Sequence, residues 1–139
     1  MWLYKEKVIN GIEDMPKNSF GFIYEVCYTP TNEKYLGKKV LQFNKKLPPL
    51  KGFKRKRKVI VESDWKTYYG SHQKIKTLLK ENKQDNFKRN ILEFSFNKKH
   101  LTYLETKYLF CNHVLENTEY INDNILGKFF RKDLVNPNS

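Results

Sequence analysis

Between Gly21 and Leu41 two strand-like runs flank a turn, and this pairing constrains the fold more than any other part of the chain. The first run, Gly21-Phe22-Ile23-Tyr24-Glu25-Val26-Cys27, is dense in the aromatic and β-branched residues that suit a pleated surface. Thr29-Pro30-Thr31-Asn32-Glu33 follows, residue types that end a strand and reverse the chain. Lys34-Tyr35-Leu36-Gly37-Lys38-Lys39-Val40-Leu41 then supplies a second strand. A hairpin is the expected result, and a lone hairpin needs further strands or helices to cover it.

The later chain offers that cover. Gln73 to Asn82 reads as an amphipathic helix with Ile75, Leu78 and Leu79 on one face and Ser71 placed to cap its start. Phe87 to Phe96 alternates unevenly around Ile91-Leu92 and Phe94, which fits a third strand. Lys98 to His113 reads as a longer helix, with Leu101, Leu104, Tyr108 and Cys111 recurring along one face. The order strand, strand, helix, strand, helix predicts an α/β domain built on a small three-stranded, mainly antiparallel sheet flanked by helices. At 139 residues the chain fits one such domain with one core. Residues 1–19 read as an N-terminal extension and 20–125 as the domain proper. Within it, 42–62 read as an inserted basic loop carrying Pro48-Pro49 and Gly52, and 126–139 form a C-terminal tail.

The formal net charge is +12, so a polyanion is the expected partner, either nucleic acid or an anionic membrane surface. No apolar run approaches the roughly 18 residues of a membrane span, and the Gln73 to Asn82 helix is too short for a surface-bound amphipathic anchor. DNA is therefore the expected partner, and the membrane is not. The densest charge is Lys45-Lys46 followed by Lys51, Lys54, Arg55, Lys56, Arg57 and Lys58. It reads either as a phosphate-tracking loop, with Phe53 and Trp65 available for stacking, or as a solvated charge run. Lys38, Ser71 and Lys74 are further candidates for DNA contact. Cys27 and Cys111 lie far apart, imply no disulfide framework and suit the cytoplasm.

Three residues carry candidate chemistry. Tyr24 and Tyr35 face each other across the expected hairpin, with Gly21 and Gly37 beside them. A tyrosine serves as acid or base when nearby cations stabilise its phenolate, and Lys38 and Lys39 follow Tyr35 directly. Strand tyrosines also serve simply as packing. Glu105 lies among Leu101, Leu104, Tyr108 and Leu109 at helical spacing, so its carboxylate emerges in or beside the apolar stripe and needs a cation, a hydrogen-bond partner or a metal. A rim glutamate paired with a lysine is the plainer account. Cys111 and His113 lack a second ligand pair and read as ordinary helix-end residues.

Taken in order, Gly21-Phe22-Ile23-Tyr24, Tyr35-Leu36-Gly37, Tyr68-Tyr69-Gly70-Ser71, the strand after Asp85-Asn86, Leu104-Glu105 and Tyr120-Ile121-Asn122 resemble the motifs of the GIY-YIG nucleases. The resemblance runs from about Gly21 to Asn122. It implies a phosphodiester hydrolase, an endonuclease similar to phage-encoded and homing types, which would work in the host-cell cytoplasm if phage-encoded. It further implies that Glu105 binds one divalent cation, Mg2+ or another such as Mn2+, that Tyr24 and Tyr35 act at the water and the phosphate, and that Asn122 supports the site. The family's helix arginine has no counterpart, since Gln73 to Asn82 contains only Lys74, Lys76 and Lys80. His72, Lys39, Arg55 and Arg57 are the candidates to replace it. A non-catalytic, basic nucleic-acid-binding protein on a degenerate nuclease fold is the alternative. If the family reading holds, specificity would be low or would come from the basic loop, residues 1–19 or the second subunit of a homodimer.

Overall fold

In this computed structural model, which describes residues 1–134, nine strands and two helices follow one another along the chain. The strands are β1 (Trp2–Tyr4), β2 (Lys7–Ile9), β3 (Gly21–Tyr28), β4 (Glu33–Val40), β5 (Gln42–Leu47), β6 (Arg57–Glu62), β7 (Phe87–Ser95), β8 (Asn124–Ile125) and β9 (Phe129–Phe130). The helices are α1 (Gln73–Lys80) and α2 (Lys98–Cys111). Residues 135–139, the end of the expected tail, lie outside the described residues.

The hairpin forms as the sequence predicts, with Tyr24 opposite Gly37 and Val26 opposite Tyr35. β7 pairs antiparallel with β3 on its other side, and the register slips between Ile23 and Tyr24 so that Leu92 is passed over. That bulge is why Phe87 to Phe96 alternates unevenly. The main sheet has five strands rather than three, in the order β2-β1-β7-β3-β4. The two extra strands come from residues 1–19, which are part of the sheet and not an appendage. β1 runs parallel to β7 and hairpins into β2 through Lys5 and Glu6, both at positive φ. Each strand has only three residues, too few to show a period, and the turn lacks the glycine or asparagine that marks most two-residue hairpins.

Each face of the sheet has its own core. α2 covers one face, where Leu101, Leu104 and Leu109 meet Ile23, Leu36, Val114 and Tyr120. On the other face Trp2, Phe22, Tyr24, Trp65, Ile75 and Phe94 pack together under α1 and the segment before it. Trp2 is central there: its indole N–H donates to the Trp65 carbonyl at 2.7 Å, and its ring meets Phe22 edge-on at 4.9 Å. Trp65 is 0% exposed and so cannot stack on a base as the sequence suggested. Arg89 is buried beside it, its guanidinium held between the rings of Trp2 and Tyr69 and donating to the carbonyls of Lys66 and Tyr68.

The 42–62 segment is also not a loop: β5 and β6 pair antiparallel over six residues each and form a separate two-stranded ribbon. Its root is tied to the main sheet, where Ser63 N donates to Leu41 O at 2.8 Å and Ser63 Oγ donates to Val40 O at 2.6 Å. Beyond α2 the chain returns along the outer edge of β4 and ends in the small β8–β9 ribbon.

Because Trp2 joins β1 to the core that carries Tyr24, Trp2→Ala is expected to cost about 3–5 kcal/mol of stability. Urea unfolding measures it; a loss below about 1 kcal/mol would show that residues 1–9 are dispensable to the fold.

Candidate active site

β4 is the edge strand of the main sheet, so side chains from both of its faces can meet around its open side. They do so in an open cleft of about 450 Å³ that brings together Tyr35, Ser71, His72, Glu105, Asn122 and Asp123. Each comes from a different local device. Tyr35 projects from β4 and shares a hydrogen bond with Ser71 Oγ at 3.1 Å. His72 is the N-cap of α1, and its Nδ1 accepts from Lys74 N at 3.1 Å. With Nδ1 accepting, the proton sits on Nε2 and is donated to Asp123 Oδ2 at 2.9 Å. The histidine is thereby fully engaged.

Tyr24 lies one layer deeper. It is 1% exposed, 6.3 Å from the Tyr35 ring and edge-on to Tyr68 at 5.8 Å. Gly37 is required by this arrangement, since a Cβ there would lie 2.7 Å from the Tyr24 hydroxyl oxygen. Burial, followed by the neighbouring Tyr68 and Tyr35, holds the Tyr24 phenol far above its ordinary titration range. Burial also raises Tyr35, against the opposing hydrogen bond from Ser71. Both tyrosines are therefore neutral hydroxyls. The cations expected to stabilise a phenolate are elsewhere: Lys39 pairs with Asp64 at 2.6 Å and lies 3.9 Å from the Tyr68 ring centre, while Lys38 turns to the other face of the sheet.

There Lys38 Nζ sits 3.7 Å from Glu105 Oε1 and donates to Thr102 Oγ1 at 3.1 Å. Glu105 is held mostly out of water by α2, and burial pushes its carboxyl above the usual glutamate range although Lys38 opposes the shift. Both plain readings of the sequence thus meet here, a lysine-paired carboxylate that also faces a polar cleft. Asn122 supports the site from outside β4. Its amide nitrogen donates to Leu36 O at 2.8 Å and its amide oxygen accepts from Leu36 N at 3.1 Å. It is 4% exposed with both polar atoms bonded to Leu36, and so shapes the cleft.

Of the other candidates, Lys74 is paired with Glu33. Arg57 donates weakly to Pro48 O on the ribbon, and Lys54, Arg55, Lys56 and Lys58 are exposed there. Neither arginine lines the cleft. Sequence reasoning missed Tyr68, although it quoted the Tyr-Tyr-Gly-Ser run, and missed Asp123 beside Asn122. It also missed Arg131, whose guanidinium donates to the carbonyls of Val114, Leu115, Asn117, Tyr120 and Asn122 at 2.6–3.2 Å. That one side chain locks the return segment bearing Asn122 and Asp123, and nothing in the tail's composition announces it.

Paired hydroxyls and a mostly buried carboxylate thus meet in one polar cleft, with Lys38 beside the carboxylate. A family model described as "Putative endonuclease segE, GIY-YIG domain" matches residues 2–125, so the chain belongs to the GIY-YIG family and carries its nuclease domain. The match includes residues 2–19, in keeping with the place of β1 and β2 in the sheet. A search of curated proteins and of solved structures found no match.

The raised Glu105 carboxyl has a consequence for stability. A raised acid favours the fold only while protonated, and that contribution is lost as pH rises through the folded-state value. Glu105→Gln removes the buried charge, so its Tm should exceed the parent's at pH 8, with the gap closing as pH falls toward the ordinary glutamate range near 4.5. An equal Tm at pH 8 would mean that Lys38 fully compensates the carboxylate.

Proposed function

We propose that this protein is a divalent-metal-dependent DNA endonuclease whose active site is the cleft on the β4 edge. The convergence of Tyr35, Glu105 and the His72–Asp123 pair on that single cleft carries the reading. No group of three or more His, Cys, Asp or Glu able to hold a metal occurs among the described residues. A cation here would therefore be held by Glu105, with Asp123 the other acid on the cleft, and would complete its shell with water and substrate phosphate. Such a sparse carboxylate site suits Mg2+ or Mn2+ in phosphoryl chemistry. When bound, the cation supplies Lewis-acid polarisation of the phosphate and a more acidic water.

The chain's own groups do the rest. Tyr35, oriented by Ser71, presents a neutral hydroxyl that hydrogen-bonds the attacking water or a non-bridging oxygen. Tyr24 and Tyr68 back it and hold it at the rim. Lys38 favours the ionised form of Glu105 against its burial, and is the cation beside it that can turn to a phosphate, the task of the absent helix arginine. Its 38% exposed side chain has room to make that turn. Lys39, His72, Arg55 and Arg57 are less suited, being engaged by Asp64, engaged by Lys74 N and Asp123, or placed on the ribbon. A binding protein without turnover is the second reading, favoured by that missing arginine.

Nicking of supercoiled plasmid, with Mg2+ and then with chelator, separates the two. Glu105→Gln should abolish cleavage while leaving DNA affinity nearly intact, and Tyr35→Phe should lower turnover by roughly 10²–10⁴-fold. Full activity in either variant would remove that residue from the site. In the metal-free protein the Glu105 carboxyl, followed by NMR, should titrate above the ordinary glutamate range, and Lys38→Met should move it higher, because Lys38 is the main influence lowering it. A titration that Lys38→Met leaves in place would show that another group sets it.

A further inference from the structure

Resting on the reading of this protein as a DNA enzyme, we propose that the β5–β6 ribbon is a sequence-reading arm that enters the major groove of duplex DNA beside the cut. The ribbon is exposed on both faces and belongs to no larger sheet. A free hairpin of this kind gains little from burial. Residues 42–62 also hold eight lysines and arginines against one acid, Glu62, and that acid is engaged by the Trp65 indole N–H at 2.8 Å. A two-stranded ribbon has the width that the major groove accepts.

The pairing register sorts its side chains. Gln42, Asn44 and Lys46 stand opposite Glu62, Ile60 and Lys58, and residues directly opposite share a face. This face therefore presents an amide pair, two ammonium groups and an isoleucine that is 71% exposed. Those are the groups that read base edges: amides toward adenine, ammonium toward guanine, and an apolar side chain toward the thymine methyl. The root of the face borders a mainly apolar cleft of about 520 Å³, and across it Lys98 is the cation placed to meet the backbone strand flanking the groove. At the other end Lys51, Lys54, Arg55 and Lys56 crowd the ribbon tip, where they meet phosphates.

β4 connects the arm to the active site. Tyr35 and the ribbon root are separated by the rest of that strand, roughly 17 Å at about 3.4 Å per residue. One base pair also spans about 3.4 Å, so the bases read should fall within about one helical turn of the nick.

The test selects bound duplexes from a randomised pool with the full-length Glu105→Gln chain, which removes cleavage from the readout. A base preference is expected, and it should vanish when the pool carries 7-deazapurines, which lack the major-groove N7 acceptor. The double variant Gln42→Ala/Asn44→Ala should lose preference at one or two positions while its affinity for random duplex changes less than about threefold. Neutralising Lys51, Lys54, Arg55 and Lys56 should weaken all duplexes alike and flatten the log–log salt dependence by about 0.9 for each phosphate no longer neutralised. Melting curves matching the parent's confirm that these exposed changes leave the fold intact. A preference unchanged by the double variant or by deazapurines overturns the proposal, as does a chain that binds no duplex. Sequence-selective binding by a parent protein that never cuts plasmid carrying the selected sequence would instead overturn the nuclease reading and leave the arm standing.

Discussion

An edge strand leaves a row of backbone donors and acceptors unpaired, and in this protein that strand is β4. Its outer side is satisfied in an unusual way. Near its start Lys34 N donates to Glu119 O and Lys34 O accepts from Ile121 N, both at 2.8 Å, as a further strand would do. At Leu36 the Asn122 side-chain amide replaces the backbone partner. Past Leu36 the return segment peels away, and the cleft opens there. Closing the edge with a side chain rather than a full strand is what leaves room for a site.

The return segment must be stiff to hold that position, and it is too irregular to stiffen itself. Arg131 supplies the rigidity from beyond the family match, collecting five carbonyls of the segment with one guanidinium. Asp123 then meets His72, which ties the start of α1 to the same edge. Three separate parts of the chain thus converge on a strand that contributes Tyr35 on one face and Lys38 on the other.

Electrostatics in the cleft work against stability. Tyr24 and Tyr35 are kept neutral by burial, and burial also raises the Glu105 carboxyl against the pull of Lys38. Of these only the Glu105 carboxylate costs stability when it ionises, and the site rests on the two cores on either side of the sheet, above all on Trp2, Trp65 and Arg89 beneath the tyrosines. The ribbon stands outside this balance. It is rooted at Leu41 and Ser63 and otherwise free, so its charge is available to a partner.

Local pattern alone marks the β3–β4 hairpin, both helices, β7, the basic character of residues 42–62 and the family, because each rests on a short period or on a motif of adjacent residues. With the family resemblance added, it also picks out Tyr35, Glu105, His72 and Asn122, which do meet around one cleft. The remainder comes from packing in three dimensions. β1 and β2 are too short to show a period, and the β5–β6 ribbon is hidden by charge that reads as loop. Trp65 looks available in the sequence and is buried, Tyr24 sits behind Tyr35 rather than beside it, and Lys38 faces Glu105 instead of a phenolate. Which lysine meets which acid, and which hydroxyl reaches water, depends on contacts between residues as far apart as Leu36 and Asn122. Those contacts exist only once the sheet edge is formed, and no local pattern records them.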